Sequence, residues 1–293
     1  MLNKDLPIVW TALITPLLED GRIDFEALAR LVDQQVKAGN GILFLGSTGE
    51  ALNLANTEKK QILDWVREHK PQAPLMCGVG GIGLDATKAW VTALNDYPFD
   101  CYLMVTPPYA KPGDHGQLQW FNQLLDVSNK PCILYNVPGR TAFSLSRQAL
   151  TTLREHKNFL GIKESSGSVE EFIAYKRALP NQAVYCGDDL MMPAFSNEGA
   201  CGLISVASNA WPLQVHTYAQ KCLDQTFDDH TLWQNAANSL FTASNPIPIK
   251  HLLHQRGLIH SPKVKLPFHI KTWVMMQSFC IGIKKLSYGS NLL

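Results

Sequence analysis

A lysine at the end of an apolar run is the residue in this sequence with the most chemistry to explain. Lys163 follows Phe159-Leu160-Gly161-Ile162, a stretch with the composition of a β-strand covered on both faces. Lysine is rarely withdrawn from water, because desolvation disfavours the ammonium form. A neutral amine held in that way can add to a carbonyl and form a Schiff base. The same position also suits a lysine that snorkels from the strand end to solvent or pairs with Glu164, so the run alone leaves both readings open.

Tyr135 closes the preceding apolar run. A phenol lying across a barrel mouth from Lys163 can carry a proton to and from a carbinolamine; an aromatic cap on the core is the alternative. Arg140 follows in a loop stiffened by Pro138, where its guanidinium fork suits a substrate carboxylate or is simply solvated. Gly46-Ser47-Thr48-Gly49-Glu50 offers successive backbone N–H groups and two hydroxyls, a nest for a carboxylate, although a turn between strand and helix needs similar residues.

A competing motif is Gly78-Val79-Gly80-Gly81-Ile82-Gly83, which fits G-x-G-x-x-G after a strand and before a helix expected from about Asp85 to Leu94. That is the setting of a nicotinamide-binding turn, with Asp100 as the ribose-binding acid. Asp100 would precede its strand rather than end it, however, and two βα units already stand before the glycines. His251 and His254 have no acidic or sulfur partner nearby and read as surface residues. No metal constellation, G-x-S-x-G elbow or Walker loop is found.

These residues need elements to hold them. Eight short apolar runs, at 8–14, 41–45, 74–79, 101–106, 131–136, 160–164, 183–187 and 202–206, alternate with longer amphipathic stretches. Asp24 is expected to cap a helix with Phe25, Leu28, Leu31, Val32 and Val36 on its apolar face and Gly39 as its stop. Thr57 is expected to cap a second helix, carrying Ile62, Leu63 and Val66 and ending before Pro71. The alternation predicts an α/β fold, either an open doubly wound sheet or a closed (β/α)8 TIM barrel, and the count of eight favours the barrel. The polar, Gly-rich and Pro-rich clusters follow the strands, so one end of such a barrel collects the reactive groups. Residues 1–225 are assigned to the barrel and 226–293 to a C-terminal helical appendage, helical from His230 to about Leu258 apart from Pro246-Ile247-Pro248.

Length and charge agree. The 293 residues would suit two modest domains, but an α/β barrel routinely takes about 250 residues as one, so one large core is possible. A net charge of +1 supplies no electrostatic footprint for nucleic acid. Seven dispersed cysteines without a C-x-x-C pair point to a reducing, cytoplasmic compartment. Asp5, the early prolines and the lack of a small-residue cleavage site argue against a signal peptide, and no apolar run of about 18 residues predicts a membrane span.

The ordered set of motifs resembles the dihydrodipicolinate synthase family, within the superfamily of N-acetylneuraminate lyase and other pyruvate-dependent class I aldolases. Gly46-Ser47-Thr48-Gly49-Glu50 looks like the family's G-[ST]-T-G-E loop, Gly161-Ile162-Lys163-Glu164 like its Schiff-base strand, and Thr106-Pro107-Pro108-Tyr109 like T-P-Y-Y. Gly187-Asp188-Asp189 and Gly202-Leu203-Ile204-Ser205-Val206 match the last two strands. Tyr135-Asn136-Val137-Pro138-Gly139-Arg140-Thr141 separates the synthases from the sialic acid lyases, which lack that arginine.

The resemblance implies a reaction and its residues. Lys163 would form a Schiff base with pyruvate, and the enamine would attack L-aspartate 4-semialdehyde on the way to 4-hydroxy-tetrahydrodipicolinate. Ser47, Tyr135 and Tyr109 would relay protons, Tyr109 entering from a neighbouring subunit of a homotetramer or dimer. Ser47 replaces the usual threonine and keeps its hydroxyl. Thr48, Arg140, Gly187 and Ile204 would bind substrate, with no metal or organic cofactor. Members inhibited by lysine carry a tyrosine, an asparagine and a glutamate where this sequence has Pro108, Ile82 and Ala86, so weak or absent lysine inhibition is expected. The tail from about Phe268 does not align with the family's last helix. Another pyruvate aldolase, a nicotinamide-dependent oxidoreductase and a non-catalytic family member are the alternatives.

Overall fold

The computed structural model describes residues 6–270. Cys280 and the tail stretches from Trp273 onward lie outside the described residues. The chain closes eight parallel strands into a barrel in sequence order, β1 (Val9–Ala12), β2 (Gly41–Phe44), β3 (Leu75–Val79), β4 (Cys101–Val105), β5 (Cys132–Asn136), β6 (Phe159–Glu164), β7 (Ala183–Cys186) and β8 (Leu203–Ser205). Closure is made by β8 against β1, with Trp10 beside Ile204. A doubly wound sheet, the other architecture the alternation allowed, is therefore excluded.

Helices follow the strands on the outside: α1 (Phe25–Ala38), α2 (Asn56–His69), α3 (Leu84–Leu94), α4 (Asp114–Val127), α5 (Pro138–Thr141) with α6 (Arg147–Leu153), α7 (Val169–Ala178), α8 (Met192–Asn197) and α9 (Pro212–Leu223). Two further helices, α10 (His230–Ser239) and α11 (Ile247–Gln255), continue the chain. Pro248 lies in the first turn of α11, where its missing N–H costs nothing, so it starts a helix that the sequence had suggested it would interrupt.

Helix starts show how local chemistry sets these bounds. The Asp24 carboxylate accepts from the Ala27 N–H at 2.9 Å, and Gly39 ends α1 in the left-handed conformation at φ 72°. Gln35 rather than Val36 completes the buried face of α1: its amide accepts from the Thr11 hydroxyl and donates to the Ser208 carbonyl. Thr57 does not cap α2. The helix begins earlier, at Asn56, because the Glu58 carboxylate reaches back to accept from the Ala55 N–H at 2.9 Å.

Strand residues alternate between two cores, as the period of two requires. Trp10, Leu43, Met76, Leu103, Ile133, Tyr185 and Ile204 fill the barrel interior. Val9, Ile42, Phe44, Leu134, Ile162 and Val184 pack outward under the helices. Five of the cysteines, Cys77, Cys101, Cys132, Cys186 and Cys222, are buried and free, and Cys201 is half-buried.

Candidate active site

Parity along β5 and β6 decides which side chains enter the barrel. Tyr135 pairs in register with Lys163, and Lys163 pairs with Tyr185 on β7. Paired residues of parallel strands project to the same face, and both tyrosines belong to the interior, so Lys163 projects inward as well. Lys163 is 4% exposed, and its Nζ stands 4.4 Å from the centroid of the Tyr135 ring. The phenol thus flanks the amine from the neighbouring strand. The sequence had suggested an approach from across the mouth, but β5 and β6 are adjacent in the closed order.

Glu164 projects the other way. Its carboxylate accepts from the Asn136 side-chain amide at 2.5 Å and from the Ser166 N–H at 2.7 Å, and it makes no ion pair with Lys163. Burial raises the Glu164 carboxyl above its ordinary range, against the pull of those hydrogen bonds. Asn136 also accepts from the Leu145 N–H at 2.8 Å. Asn136 and Glu164 therefore clamp the outer faces of the two strands whose preceding residues, Tyr135 and Lys163, face the interior.

Gly187, at the end of β7, leaves the room that Lys163 occupies. A Cβ built there would fall 2.6 Å from the Lys163 Cε and 2.0 Å from the Ser165 Oγ. Other glycines are explained by packing. A Cβ on Gly78 would strike the Leu45 carbonyl oxygen at 2.1 Å, and one on Gly81 the Thr87 hydroxyl at 2.4 Å. The G-x-G-x-x-G run is thereby accounted for by the close fit of β3 and α3 to their neighbours.

Ser47, Tyr135 and Arg140 line one cavity of about 260 Å³ at the barrel mouth, together with Gly78, Lys59 and Phe268. Arg140 is exposed on the short helix α5, which Pro138 starts. Its Nη2 donates to the Asn245 carbonyl at 3.2 Å. Thr48 is buried, and its hydroxyl accepts from the Asn245 side-chain amide at 2.8 Å.

Five residues singled out in the sequence, Lys163, Thr48, Gly187, Ile204 and Tyr109, are not among those that line this cavity. Ile204 is 1% exposed in the barrel interior on β8. Tyr109 is 92% exposed with a left-handed φ of 74°, and its own chain does not bring it to the cavity wall.

The loop that carries Ser47 and Thr48 is anchored from below by a buried ion pair. Glu50, at φ 57°, accepts from the Lys250 Nζ at 2.5 Å, with both side chains fully buried. Its second oxygen accepts from the Lys265 N–H at 2.7 Å, and Lys250 also donates to the Lys263 carbonyl at 2.9 Å. Burial lowers the pKa of Lys250, which the Glu50 charge opposes. Sequence reading found neither Asn245 nor Lys250. Their contacts span about 200 residues, and the one available signal was Glu50 at the end of the loop motif.

Among the described residues, no group of three His, Cys, Asp or Glu side chains is placed to hold a metal ion, and no helix is long and apolar enough to cross a membrane. The Tyr135 phenol and the Arg140 guanidinium border the cavity, and the Lys163 amine lies against the Tyr135 ring.

Comparison with known proteins agrees with this chemistry. The model of the dihydrodipicolinate synthetase family matches residues 6–284. The 4-hydroxy-tetrahydrodipicolinate synthase of Wolbachia pipientis subsp. Culex pipiens (strain wPip) is 42% identical over 286 residues, covering 95% of this chain and 98% of its own. That of Francisella tularensis subsp. novicida (strain U112) is 39% identical over 261 residues, 88% of each chain. Among solved structures, the chloride-inhibited dihydrodipicolinate synthase of Acinetobacter baumannii, complexed with pyruvate, superposes with a TM-score of 0.85 at 30% identity, covering 98% of this chain and 99% of that one.

Proposed function

The chain belongs to the dihydrodipicolinate synthetase family, and from that membership we propose how its barrel mouth performs the family's reaction. The protein is a 4-hydroxy-tetrahydrodipicolinate synthase, a Schiff-base lyase of lysine and diaminopimelate biosynthesis that condenses pyruvate with L-aspartate 4-semialdehyde. The observation that carries the site assignment is the withdrawal of Lys163 into the barrel with its Nζ over the Tyr135 ring.

In this reading the neutral Lys163 amine adds to the ketone of pyruvate. Tyr135 donates a proton to the carbinolamine oxygen, which leaves as water, and the iminium forms. The iminium draws electrons from the pyruvate methyl group, which loses a proton to give the enamine. The enamine carbon bonds to the aldehyde carbon of aspartate semialdehyde, and the aldehyde oxygen takes up a proton. The substrate amine then displaces Lys163 and closes the ring, returning the lysine to its free state.

Backbone N–H groups of Ser47 and Thr48 hold the pyruvate carboxylate, and Arg140 reads the carboxylate of the aldehyde. Gly187 and Ile204 complete the pocket around pyruvate. Ser47, Tyr135 and Tyr109 form the proton relay. Tyr109 serves a neighbouring subunit, which its exposure on its own chain supports, and the working assembly is a homotetramer or a dimer. The barrel of residues 1–225 carries the chemistry, the region 226–293 supports it, and the enzyme works in the cytoplasm.

Incubation with pyruvate and borohydride, followed by peptide mapping, tests the assignment. A reduced pyruvate adduct on the Lys163 peptide is the expected result, and an unmodified Lys163 peptide overturns it. Coupled turnover with aspartate semialdehyde separates the synthase from other pyruvate aldolases.

A further inference from the structure

Asn245 stands outside the barrel, in the turn that leads into α11, and touches two of the substrate-binding residues at once. Its side-chain Nδ2 donates to the Thr48 Oγ1 at 2.8 Å, and its backbone carbonyl accepts from the Arg140 Nη2 at 3.2 Å. Asn245 itself is 9% exposed and Thr48 is 2% exposed, so the Nδ2 bond is made out of water, where geometry is strongly enforced. The side-chain Oδ1 is buried and has no hydrogen-bond partner. An orphaned buried acceptor is unfavourable. An apolar residue would avoid it, so what the amide supplies here is its donor to Thr48.

From these contacts we propose that Asn245 is a positioning residue of the active site, coupling the loop that binds pyruvate to the arginine that reads the second substrate. The inference rests on the assignments of Thr48 and Arg140 made above. Thr48 contributes a backbone N–H to the pyruvate carboxylate, and the direction of that N–H depends on how the residue is seated. The Asn245 amide fixes the seat through the hydroxyl. Arg140 lies on a four-residue helix with an exposed side chain, and the Asn245 carbonyl is the protein acceptor that orients its guanidinium.

The sequence position of Asn245 is held in turn. Two residues after it α11 begins, and Lys250 on that helix is locked to Glu50, at the other end of the same loop. The C-terminal region therefore grips the 46–50 loop at Thr48 and again at Glu50. A shift of α11 would move both anchor points of the loop together.

The test is a double-mutant cycle read through steady-state kinetics, with borohydride trapping of pyruvate on the wild-type enzyme run alongside. N245A keeps the backbone carbonyl and removes only the bond to Thr48. It is expected to raise the KM for pyruvate by about five- to tenfold, the effect of one buried hydrogen bond, while kcat falls by less than twofold. T48V removes the same bond from the other side, so N245A should add nothing to the pyruvate KM in that background. In the T48S background, where the hydroxyl remains, the full effect of N245A should reappear.

A pyruvate KM within twofold of wild type in N245A, or an N245A effect that persists undiminished in T48V, overturns the proposal. Should N245A fail to fold, T48V against T48S decides it: equal pyruvate KM values overturn it, and a raised value in T48V alone supports it. If wild-type trapping labels Lys163 and the cycle is additive, only the coupling falls. If trapping fails, the site assignment falls and takes the coupling with it.

Discussion

The Lys163 amine lies 4.4 Å from the centre of the Tyr135 ring, on the adjoining strand and at the same register level. One pairing of the barrel therefore fixes the amine proposed as nucleophile beside the phenol proposed as proton donor. A cation over an aromatic face is favoured.

Removing either partner separates their roles. Lys163→Ala is expected to abolish the borohydride-trapped pyruvate adduct and lower kcat by at least about a thousandfold, because no other nucleophile replaces the Schiff base. Tyr135→Phe keeps the ring and loses the hydroxyl. It should still form a trapped adduct, with kcat reduced about a hundredfold or more, as expected for loss of a general acid–base group. Trapping by K163A at the wild-type level would show that another amine carries the reaction.

Much of this site was legible because it depends on local pattern. The strand ends were found from apolar runs bounded by turn residues, and the rule that barrel chemistry follows the strands put Lys163, Tyr135 and Arg140 at one end. Parity alone then sends Lys163 inward and Glu164 outward. The helix start at Asn56 was missed because Glu58 performs the capping from inside the helix, where a search for a Ser or Thr at the boundary does not look. Asn245 and Lys250 were missed for a different reason. They act on Thr48 and Glu50 across about 200 residues, and periodicity carries no information on such pairings.

Gly187→Ala tests the packing around the lysine. The added methyl would meet the Lys163 Cε at 2.6 Å and the Ser165 Oγ at 2.0 Å, closer than carbon and oxygen atoms tolerate. Both neighbours are side chains, so the barrel is expected to fold with Lys163 pushed off its position. Pyruvate turnover should fall by about a hundredfold or more, as misplacement of a reacting group by roughly 1 Å does elsewhere, while circular dichroism stays unchanged. Wild-type kinetics in G187A would show that Lys163 has room the packing does not indicate.

The Glu50–Lys250 pair is expected to behave as a buried charge pair whose halves depend on each other. Lys250→Met removes the cation paired with Glu50 in a buried setting and leaves the carboxylate with the Lys265 N–H as its remaining donor. The loss is about 3–5 kcal/mol in urea unfolding. Adding Glu50→Gln to that variant removes the orphaned charge and should restore part of the loss. Equal stability of the single and double variants would mean that Glu50 finds water or another cation.

Asp189 makes a stability prediction with a definite sign. It is 1% exposed, and burial pushes its carboxyl up to about 6 from an ordinary value of 3.8, even though the Ser205 hydroxyl and the Val206 and Ala207 N–H groups favour the charged form. The native state thus holds this proton where the unfolded state has released it. Stability from this group is greatest below the unfolded value and is lost as pH rises through about 6. The change is on the order of 3 kcal/mol. Wild type should lose that much stability relative to Asp189→Asn between pH 4 and pH 7 in urea titrations. A pH-independent difference between the two proteins would contradict it.

The last prediction concerns regulation by lysine. Family members that lysine inhibits hold it with a tyrosine, an asparagine and a glutamate, and the counterparts here are Pro108, Ile82 and Ala86. Ile82 and Ala86 line a side cleft with Lys59 and Trp90, and no carboxylate is among the residues lining it. Lys59 is half-buried there, and burial lowers its pKa. An amino acid that carries a second ammonium group meets a cation and a methyl group where it needs an acid, and Ile82 is 70% exposed with no amide to offer. Like charges at close range in a partly desolvated cleft are unfavourable, so repulsion as well as the lost contacts is expected to weaken lysine binding there. Initial rates measured at subsaturating pyruvate should not respond to sub-millimolar lysine. A concentration-dependent fall in rate over that range would mean that lysine is held by residues other than these three.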